Sequence, residues 1–555
     1  MSIDLINEIH FRNWRGDLFG GLTAAIVALP LALAFGVASG AGAIAGLYGA
    51  IFVGFFASLF GGTPAQVSGP TGPMTVVMTT VIASLMTTYK DNPEMALAIA
   101  FTVVMLGGLF QILLGLMKLG QYITLMPYTV ISGFMSGIGV IIILLQLPPL
   151  LGYAGTGAVL DTLKQLPSYI SQTNVVALGL GLLTLFLVFA TPPKLNRVIP
   201  APLLALVICT ILSVIFFKNA DISRIGSIPN ELPKLRIPTF NLSNNLPELT
   251  DMLRYGATLG FLGAIDSLLT SLVADSITRT QHDSDKELIG QGIGNVVAGL
   301  FGGLSGAGAT MRTVVNVQAG GKTPLSGMIH AVVLLIVVLV ASPLTSVIPN
   351  AVLAGLLLKV GLDIIDWSFI RRAHHLSFKG SGLMYLVLFL TVFVDLITAV
   401  VVGAFMANIL TIKRLTDVQS DRIQAITDHT QATHLKLEEQ ELLARADGNI
   451  LLLQLGGVLS FGAAKIISQR MSVVQDYQAL VLDLSEVPVI GVTATLAIET
   501  IVLDAIQGDR QVWIVTSSVQ VQRRLDKLQL QKFPKVHFCG DRLQALQKAI
   551  SVAIA

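Results

Sequence analysis

Apolar runs, many of them broken by glycine, dominate the first three quarters of the chain. Uninterrupted runs occupy Leu22–Gly40, Leu97–Met117, Val175–Ala190, Leu203–Phe217, Met328–Ala341 and Met384–Leu410. A membrane helix needs about 20 mostly apolar residues, so each run is a candidate span, and the last is long enough for two. Shorter, glycine-broken runs lie at Gly46–Phe60, Met74–Met86, Val130–Leu147, Thr258–Ala274, Leu288–Leu300 and Thr313–Ala319. Pairing and splitting these predicts an α-helical membrane protein of roughly fourteen segments, of which a pair is too short to cross alone.

After Lys413 the pattern changes. Residues 415–432 are polar and charged and read as a linker or short helix. Residues 433–555 read as a soluble α/β unit. Ile450–Leu455, Ala479–Leu484, Gln511–Val515 and Val536–Phe538 are strand-like, whereas Thr493–Gln507 and Ser518–Leu528 have helical period, and a final helix follows. The expected division is a cytoplasmic N-terminus (1–17), a first repeat (18–217), an extracytoplasmic loop (218–250), a second repeat (251–414), the linker and the soluble domain.

Composition agrees with a bilayer protein. Of 555 residues, 53% are hydrophobic and 12% charged, against about 25% charged in soluble chains. The net charge of +2 gives no case for a nucleic-acid partner. Basic residues outside the runs include Arg12, Arg15, Lys118, Lys194, Arg197, Arg279, Lys286, Lys322, Arg371, Arg372, Lys379, Lys413 and Arg414. They fall on one side when the spans are counted, which places both termini in the cytoplasm and the protein in the inner membrane. The N-terminal stretch lacks the apolar core of a cleaved signal. The cysteines, Cys209 and Cys539, allow neither a disulfide framework nor a zinc cluster.

One internal match rises above hydropathy. Phe60-Gly61-Gly62 precedes Ser68-Gly69-Pro70-Thr71-Gly72-Pro73-Met74-Thr75-Val76-Val77, and Phe301-Gly302-Gly303 precedes Ser305-Gly306-Ala307-Gly308-Ala309-Thr310-Met311-Arg312-Thr313-Val314-Val315. An odd number of spans separates the copies, so they run in opposite directions. Paired short, Gly/Pro-interrupted segments point to an inverted-repeat transporter site. Each short helix would begin partway through the membrane with backbone N–H groups that lack intrahelical acceptors. Two such ends facing each other form a positive cradle for a small anion. Its candidate residues are Ser68, Gly69, Thr71, Gly72, Ala309, Thr310, Met311 and Arg312. The plainer alternative is that the glycines only allow close helix packing.

Charge within the membrane is rare and usually functional. The first repeat places none inside a span. The second has Asp266, Arg312 and Asp395, the last near a span boundary and read as structural. Asp266 and Thr270 are four residues apart and share a helix face. A carboxylate and a hydroxyl there, beside carbonyls of a broken helix such as that of Gly308, offer oxygen ligands to a hard cation such as Na⁺. The carboxylate could equally take a proton, or pair with Arg312. Arg312 could stand behind the cradle or snorkel to the cytoplasm. His330 reads as packing. No nucleophile–base motif, phosphate loop or metal-ligand spacing occurs, so an enzyme and a bound cofactor are not expected.

These residues resemble the SulP family of anion transporters. Asp17-Leu18-Phe19-Gly20-Gly21-Leu22-Thr23 leading to Leu29-Pro30, then Gly46-Leu47-Tyr48, is similar to its first helices, and Val67-Ser68-Gly69-Pro70-Thr71 to its third. Val273-Ala274-Asp275, Glu287-Leu288-Ile289-Gly290-Gln291-Gly292-Ile293-Gly294-Asn295 and Phe301-Gly302-Gly303 are characteristic. The tail around Val481-Leu482-Asp483-Leu484 resembles the family's STAS domain. Gly72–Thr79, Pro127–Gly139 and Gly306–Met311 resemble the Na⁺-dependent bicarbonate branch, whereas Arg312 is more like the sulfate branch.

The resemblance implies a seven-plus-seven inverted repeat with core and gate parts, elevator-like movement and a homodimer formed through the STAS domain. It also implies that the aspartate matching Asp266 and the threonines matching Thr270 and Thr310 form the Na⁺ site. At the family's STAS phosphorylation loop this chain reads Gly491-Val492-Thr493-Ala494, without the usual hydroxyl. The expected function is Na⁺-coupled bicarbonate uptake. The alternatives are sulfate with Na⁺ or H⁺, an uncoupled anion channel, or a membrane-anchored signalling protein.

Overall fold

The computed structural model describes residues 6–7, 11–123, 126–155, 157–196, 199–218, 220–226, 233–235, 246–376, 378–394, 396–420, 422–427, 435–474 and 476–554. Asp395, Arg197 and most of the 218–250 loop lie outside them. The chain forms two compact units, Met1–Ala404 and Phe405–Ala555.

The first half of the membrane unit runs α1 (Trp14–Ala38), α2 (Ala43–Phe60), β1 (Ser68–Gly69), α3 (Gly72–Thr88), α4 (Pro93–Leu116), α5 (Gly120–Ile123), α6 (Tyr128–Leu150), α7 (Val159–Ser171), α8 (Val175–Ala190), α9 (Pro193–Asn196) and α10 (Ala201–Phe216). The second runs α11 (Leu246–Thr278), α12 (Ser284–Leu300), β2 (Ala307–Gly308), α13 (Thr310–Gln318), α14 (Pro324–Thr345), α15 (Asn350–Ile364), α16 (Trp367–Leu376), α17 (Phe378–Phe393) and α18 (Leu396–Ser420). With the short or surface helices α5, α7, α9 and α16 set aside, each half holds seven segments, and the third of each is a strand followed by a short helix. That is the seven-plus-seven repeat expected from the sequence. Among the described residues, six helices are long and apolar enough to cross a membrane; α7 and α8 pass together but are bent by 113°. Others, such as α3, α10 and α17, are shorter apolar helices.

The helices sort into two groups by packing. α1–α4 pack with α11–α14, and α6, α8, α10, α15 and α17 pack with one another. Gly403 sets α18 against Val387 and Val130 of the second group. Glycines set the closest crossings. A Cβ on Gly108 would lie 2.5 Å from the Gly292 carbonyl oxygen, and one on Gly292 at 2.5 Å from that of Gly108. Gly139 and Gly361 face each other in the same way across α6 and α15. The plain packing role of glycine therefore holds at these crossings, outside the broken segments.

Several elements extend beyond the apolar runs. Helix α1 begins at Trp14 and carries Asp17, fully buried, inside the helix. Helix α11 begins at Leu246, within the segment assigned to the loop, and its 33 residues reach about 50 Å at 1.5 Å per residue. Ile423–Ile426, within the segment read as linker, is strand β3.

The second unit is an α/β domain. Strands β3, β4 (Ile450–Gly456), β5 (Ala479–Glu486), β6 (Gln511–Thr516) and β7 (Val536–Cys539) form one sheet in that order. β3 pairs antiparallel with β4, and the remaining pairs are parallel. Unbroken apolar runs such as Leu451-Leu452-Leu453 suit strands covered on both faces. Leu451, Leu453, Leu480 and Leu482 face α20 (Phe461–Val473) and α21 (Val492–Gln507), while Leu452, Val481 and Trp513 face α19 (Leu437–Ala446) and α23 (Arg542–Ala553). Between β6 and β7, α22 (Val519–Lys527) completes the crossover.

Arg542 grips the two Glu439 oxygens at 3.0 Å and Asp483 at 2.9 Å. Burial works against its charge, but the two carboxylates outweigh that and raise its pKa above the ordinary guanidinium value. Cys209 and Cys539 are both buried and free.

Candidate functional site

The broken segments meet. Ser68 and Gly69 of β1 pair antiparallel with Gly308 and Ala307 of β2, so the strands leading into α3 and α13 lie side by side. Neither helix start has a side-chain cap: Thr71 precedes α3 and Ala309 precedes α13, both with extended backbone. The first backbone N–H groups of both helices are thus left without intrahelical acceptors. Pro73 removes one donor from α3 at a position where none is needed. The approach is tight enough to demand glycine. Gly69 has φ +155°, and a Cβ there would lie 2.6 Å from Arg312 Nη1 and 3.1 Å from the Ala50 Cα.

Helix α11 ties the two starts together from one face. The Thr71 hydroxyl donates to Asp266 Oδ2 at 2.7 Å. The Gly308 N–H donates to Ser267 Oγ at 3.0 Å. The Thr270 hydroxyl lies 3.0 Å from the Gly308 carbonyl, to which it donates, and 2.8 Å from Thr310 Oγ1. The second oxygen of Asp266 makes no hydrogen bond to a described residue. Asp266, Thr270, Thr310 and the Gly308 carbonyl, singled out from the sequence, therefore gather at the junction. Every group is an oxygen, with a single carboxylate, which fits a hard monovalent cation. Among the described residues there is no cluster of three or more His, Cys, Asp or Glu that could hold another metal.

Arg312 does neither of the things that would have made it bland. It forms no ion pair with Asp266, and it does not snorkel, being 2% exposed. Its Nη2 donates to the Pro70 carbonyl at 2.8 Å, and its Nη1 lies buried against Gly69 without an acceptor among the described residues. A positive charge thus stands directly behind the strand that leads to α3. Ser68 points away from the junction, its hydroxyl taken by the Gln291 amide at 2.6 Å. Thr310 and Met311 are exposed at the start of α13.

A buried polar frame holds the strands, and sequence reasoning gave it no role. Glu287 accepts from Gln66 at 2.7 Å, from Gln291 at 2.8 Å and from the Thr63 N–H at 2.9 Å. Asn295 brackets Gly306, accepting from its N–H at 2.8 Å and donating to its carbonyl at 2.9 Å. Glu287, Gln291 and Asn295 are spaced i, i+4, i+8 on α12, so their shared face was available as a signal. Asp17 accepts from the Lys322 and Thr323 N–H groups at 2.8 and 3.0 Å, pinning α1 to the start of α14.

Space reaches α3 from one side. A cavity of about 460 Å³ lies among Ser39, Gly40, Thr79, Gln146, Tyr153 and Asn350, at the C-terminal end of α1. A pocket of about 20 Å³, sharing Ala38, Thr79 and Gln146 with it, touches Gly72. A Cβ on Gly72 would meet Ile364 Cδ1 at 2.7 Å and Ile142 Cδ1 at 2.8 Å, so these isoleucines cover the α3 start.

Two broken half-helices joined inside an inverted repeat are the arrangement of a membrane transporter fold. By sequence, the chain belongs to the sulfate permease family, whose model matches residues 14–388, and it carries a STAS domain at residues 441–539. It is 54% identical to the bicarbonate transporter BicA of Synechocystis sp. over 550 residues, covering 99% of this chain and 96% of that protein. It is 53% identical to the BicA of Picosynechococcus sp., covering 99% and 97%. The solved transmembrane domain of a cyanobacterial BicA matches with a TM-score of 0.67 at 56% identity, covering 72% of this chain and all of that one. SLC26A9 matches in fold with a TM-score of 0.81 at 17% identity, over 98% of this chain and 92% of its own.

Proposed function

We propose that this protein is a secondary transporter that takes up bicarbonate together with Na⁺ across the inner membrane. The observation that carries the reading is the turn of α11 from Asp266 to Thr270, which bonds the starts of both half-helices. The N–H groups at the starts of α3 and α13, those of Thr71, Gly72 and Thr310–Arg312, hold the anion, while the Ala309 N–H, also a candidate from the sequence, is taken by the Val67 carbonyl at 2.9 Å. Asp266, Thr270, Thr310 and the Gly308 carbonyl hold Na⁺. An uncompensated Asp266 carboxylate repels an anion held beside it. Na⁺ cancels that repulsion, so each ion raises the other's affinity, and by linkage the effect is reciprocal.

Transport follows if the group α1–α4 with α11–α14 moves as a core against the remaining helices, carrying the site past Ile142 and Ile364. With both termini in the cytoplasm, the cavity at the C-terminal end of α1 opens outwards. The STAS domain serves as the homodimer contact, the reading its family resemblance supports.

A second reading is favoured by Arg312. A buried guanidinium without a carboxylate partner supplies one more positive charge than a monovalent anion needs, and sulfate carries two negative charges. Competition decides between them: uptake of labelled bicarbonate into vesicles in the presence of sulfate or chloride. The bicarbonate reading expects inhibition by unlabelled bicarbonate and little by sulfate; strong inhibition by sulfate reverses the assignment.

A further inference from the structure

Two apolar slots line the seams between the two helix groups. The larger, about 500 Å³, runs between α1, α14 and α10, past Leu29, Leu33, Val207, Ile211, Val337 and Leu344. The smaller, about 220 Å³, lies between α11, α4, α6 and α18, past Phe110, Phe261, Ile265 and Val400. The repeat relates them: α1 and α11 are the first segments of their halves, α10 and α18 the seventh, α14 and α4 the fourth. Both slots are open to the side and nearly free of polar groups, so in a bilayer their occupant is hydrocarbon.

The larger slot has in addition a polar mouth. It ends at Val347 and Ile348, and Arg224 donates to the Val347 carbonyl. The arginine is fixed there by backbone: Ile225 N–H bonds the Ile348 carbonyl at 3.0 Å and Asn350 N–H bonds that of Ser223 at 2.9 Å. Its guanidinium has no carboxylate partner among the described residues, and its bond to Val347 is solvent-exposed. Lys218, exposed just beyond the end of α10, adds a second cation, against the single exposed acid Asp221 in the described part of that stretch. On the slot wall the Thr210 hydroxyl is buried without a partner among the described residues.

We propose that this slot is a binding site for an anionic phospholipid. One acyl chain fills the space between α10 and α1/α14, the phosphate sits on Arg224 in the fork geometry that guanidinium offers to phosphate, and Thr210 donates to an ester carbonyl. Charge complementarity selects the anionic headgroup, and the slot's volume lies within the range of about 300–1,000 Å³ usual for small-molecule sites. A lipid wedged in this seam sits where the two groups slide past each other, so its head and tail would set how readily they move. That last consequence rests on the transport reading above; the binding itself does not.

The test is native mass spectrometry of the purified full chain released from nanodiscs that contain equal phosphatidylglycerol and phosphatidylcholine. The wild type is expected to retain phosphatidylglycerol several-fold over phosphatidylcholine. Arg224→Ala removes that preference, Arg224→Lys keeps part of it, and Val207→Trp, which fills the slot, lowers retention of both lipids. Each variant is checked for an unchanged melting temperature in detergent. No preference in the wild type, or full retention in Arg224→Ala or in Val207→Trp, overturns the proposal. Because the readout is lipid retention, a failure of bicarbonate uptake would count against the transport reading alone.

Discussion

The Thr71 hydroxyl donates to Asp266 at 2.7 Å, linking the residue before α3 to the middle of α11 across nearly two hundred positions of sequence. The same turn of α11 holds Gly308 and Thr310 through Ser267 and Thr270. One helical turn therefore carries both the carboxylate and the bonds that fix the two uncapped helix starts. Changes on either side of the junction should be felt on the other.

Thr71→Val should weaken both ions together. A hydrogen bond to a charged group contributes about 1.5–3 kcal/mol, or roughly tenfold or more in affinity. The half-saturation constants for bicarbonate and for Na⁺ should both rise by at least about that factor in vesicle uptake. A change confined to one ion would show that the two sites are independent.

Thr270→Val and Thr310→Val should act mainly on Na⁺. Each removes a proposed oxygen ligand and one side of the 2.8 Å Thr270–Thr310 contact; Thr270→Val also removes a donor to the Gly308 carbonyl, while Ser267 still holds the Gly308 N–H. The expected outcome is a rise of about tenfold in the Na⁺ concentration for half-maximal uptake, from about 1.4 kcal/mol per ligand. The relative inhibition by sulfate and chloride should stay as in the wild type.

Gly306→Ala should abolish the site. The added methyl would lie 2.6 Å from the carbonyl carbon of Gly69, backbone against backbone. The β1–β2 pairing cannot survive that contact unchanged, and overpacking of this kind costs about 1–3 kcal/mol or more. Uptake should fall to background while the protein still inserts, with a lowered melting temperature in detergent. Wild-type uptake by this variant would mean that the paired strands do not matter.

Much of this junction was legible from the sequence because half-helices in a bilayer need bare, glycine-rich starts. The matched FGG and SG motifs marked both, and the i, i+4 spacing marked Asp266 with Thr270. Apolar-run boundaries hid other parts. Asp17 closes the stretch assigned to the cytoplasmic N-terminus and Glu287 lies just before the Leu288–Leu300 run, yet both stand inside helices, and each is buried while it accepts backbone or amide N–H groups. The place of Arg312 depended on the path of a strand 240 residues earlier, which no local pattern encodes. In the STAS domain the central strands were plain as continuous apolar runs. β3 is a short edge strand of mixed polarity, and α19 and α20 follow polar or glycine-containing segments, so they carried no comparable signal.

Arg542→Ala should destabilise the STAS domain strongly. It would leave Asp483 and Glu439, exposed by only 1% and 2%, without their cation. Removing one partner from a buried charged set costs about 3–5 kcal/mol. In the full chain this should appear as early loss of the domain's signal in urea, by the fluorescence of Trp513, which is 3% exposed on β6. Arg542→Lys should recover only part of the loss, because an ammonium cannot bond Glu439 through a planar fork. An unchanged urea midpoint would show that the three charges contribute nothing net.

The most direct test of the account measures labelled bicarbonate uptake into vesicles at constant pH, with and without an inward Na⁺ gradient, for the wild type and Asp266→Asn. Asparagine keeps an oxygen for the Thr71 hydroxyl, so the junction should hold while the charge is lost. Wild-type uptake should rise steeply with the gradient, and the variant's should be low and indifferent to Na⁺. Gradient-driven uptake by Asp266→Asn equal to the wild type's, or wild-type uptake that ignores Na⁺, would contradict the claim that this carboxylate takes up the driving cation.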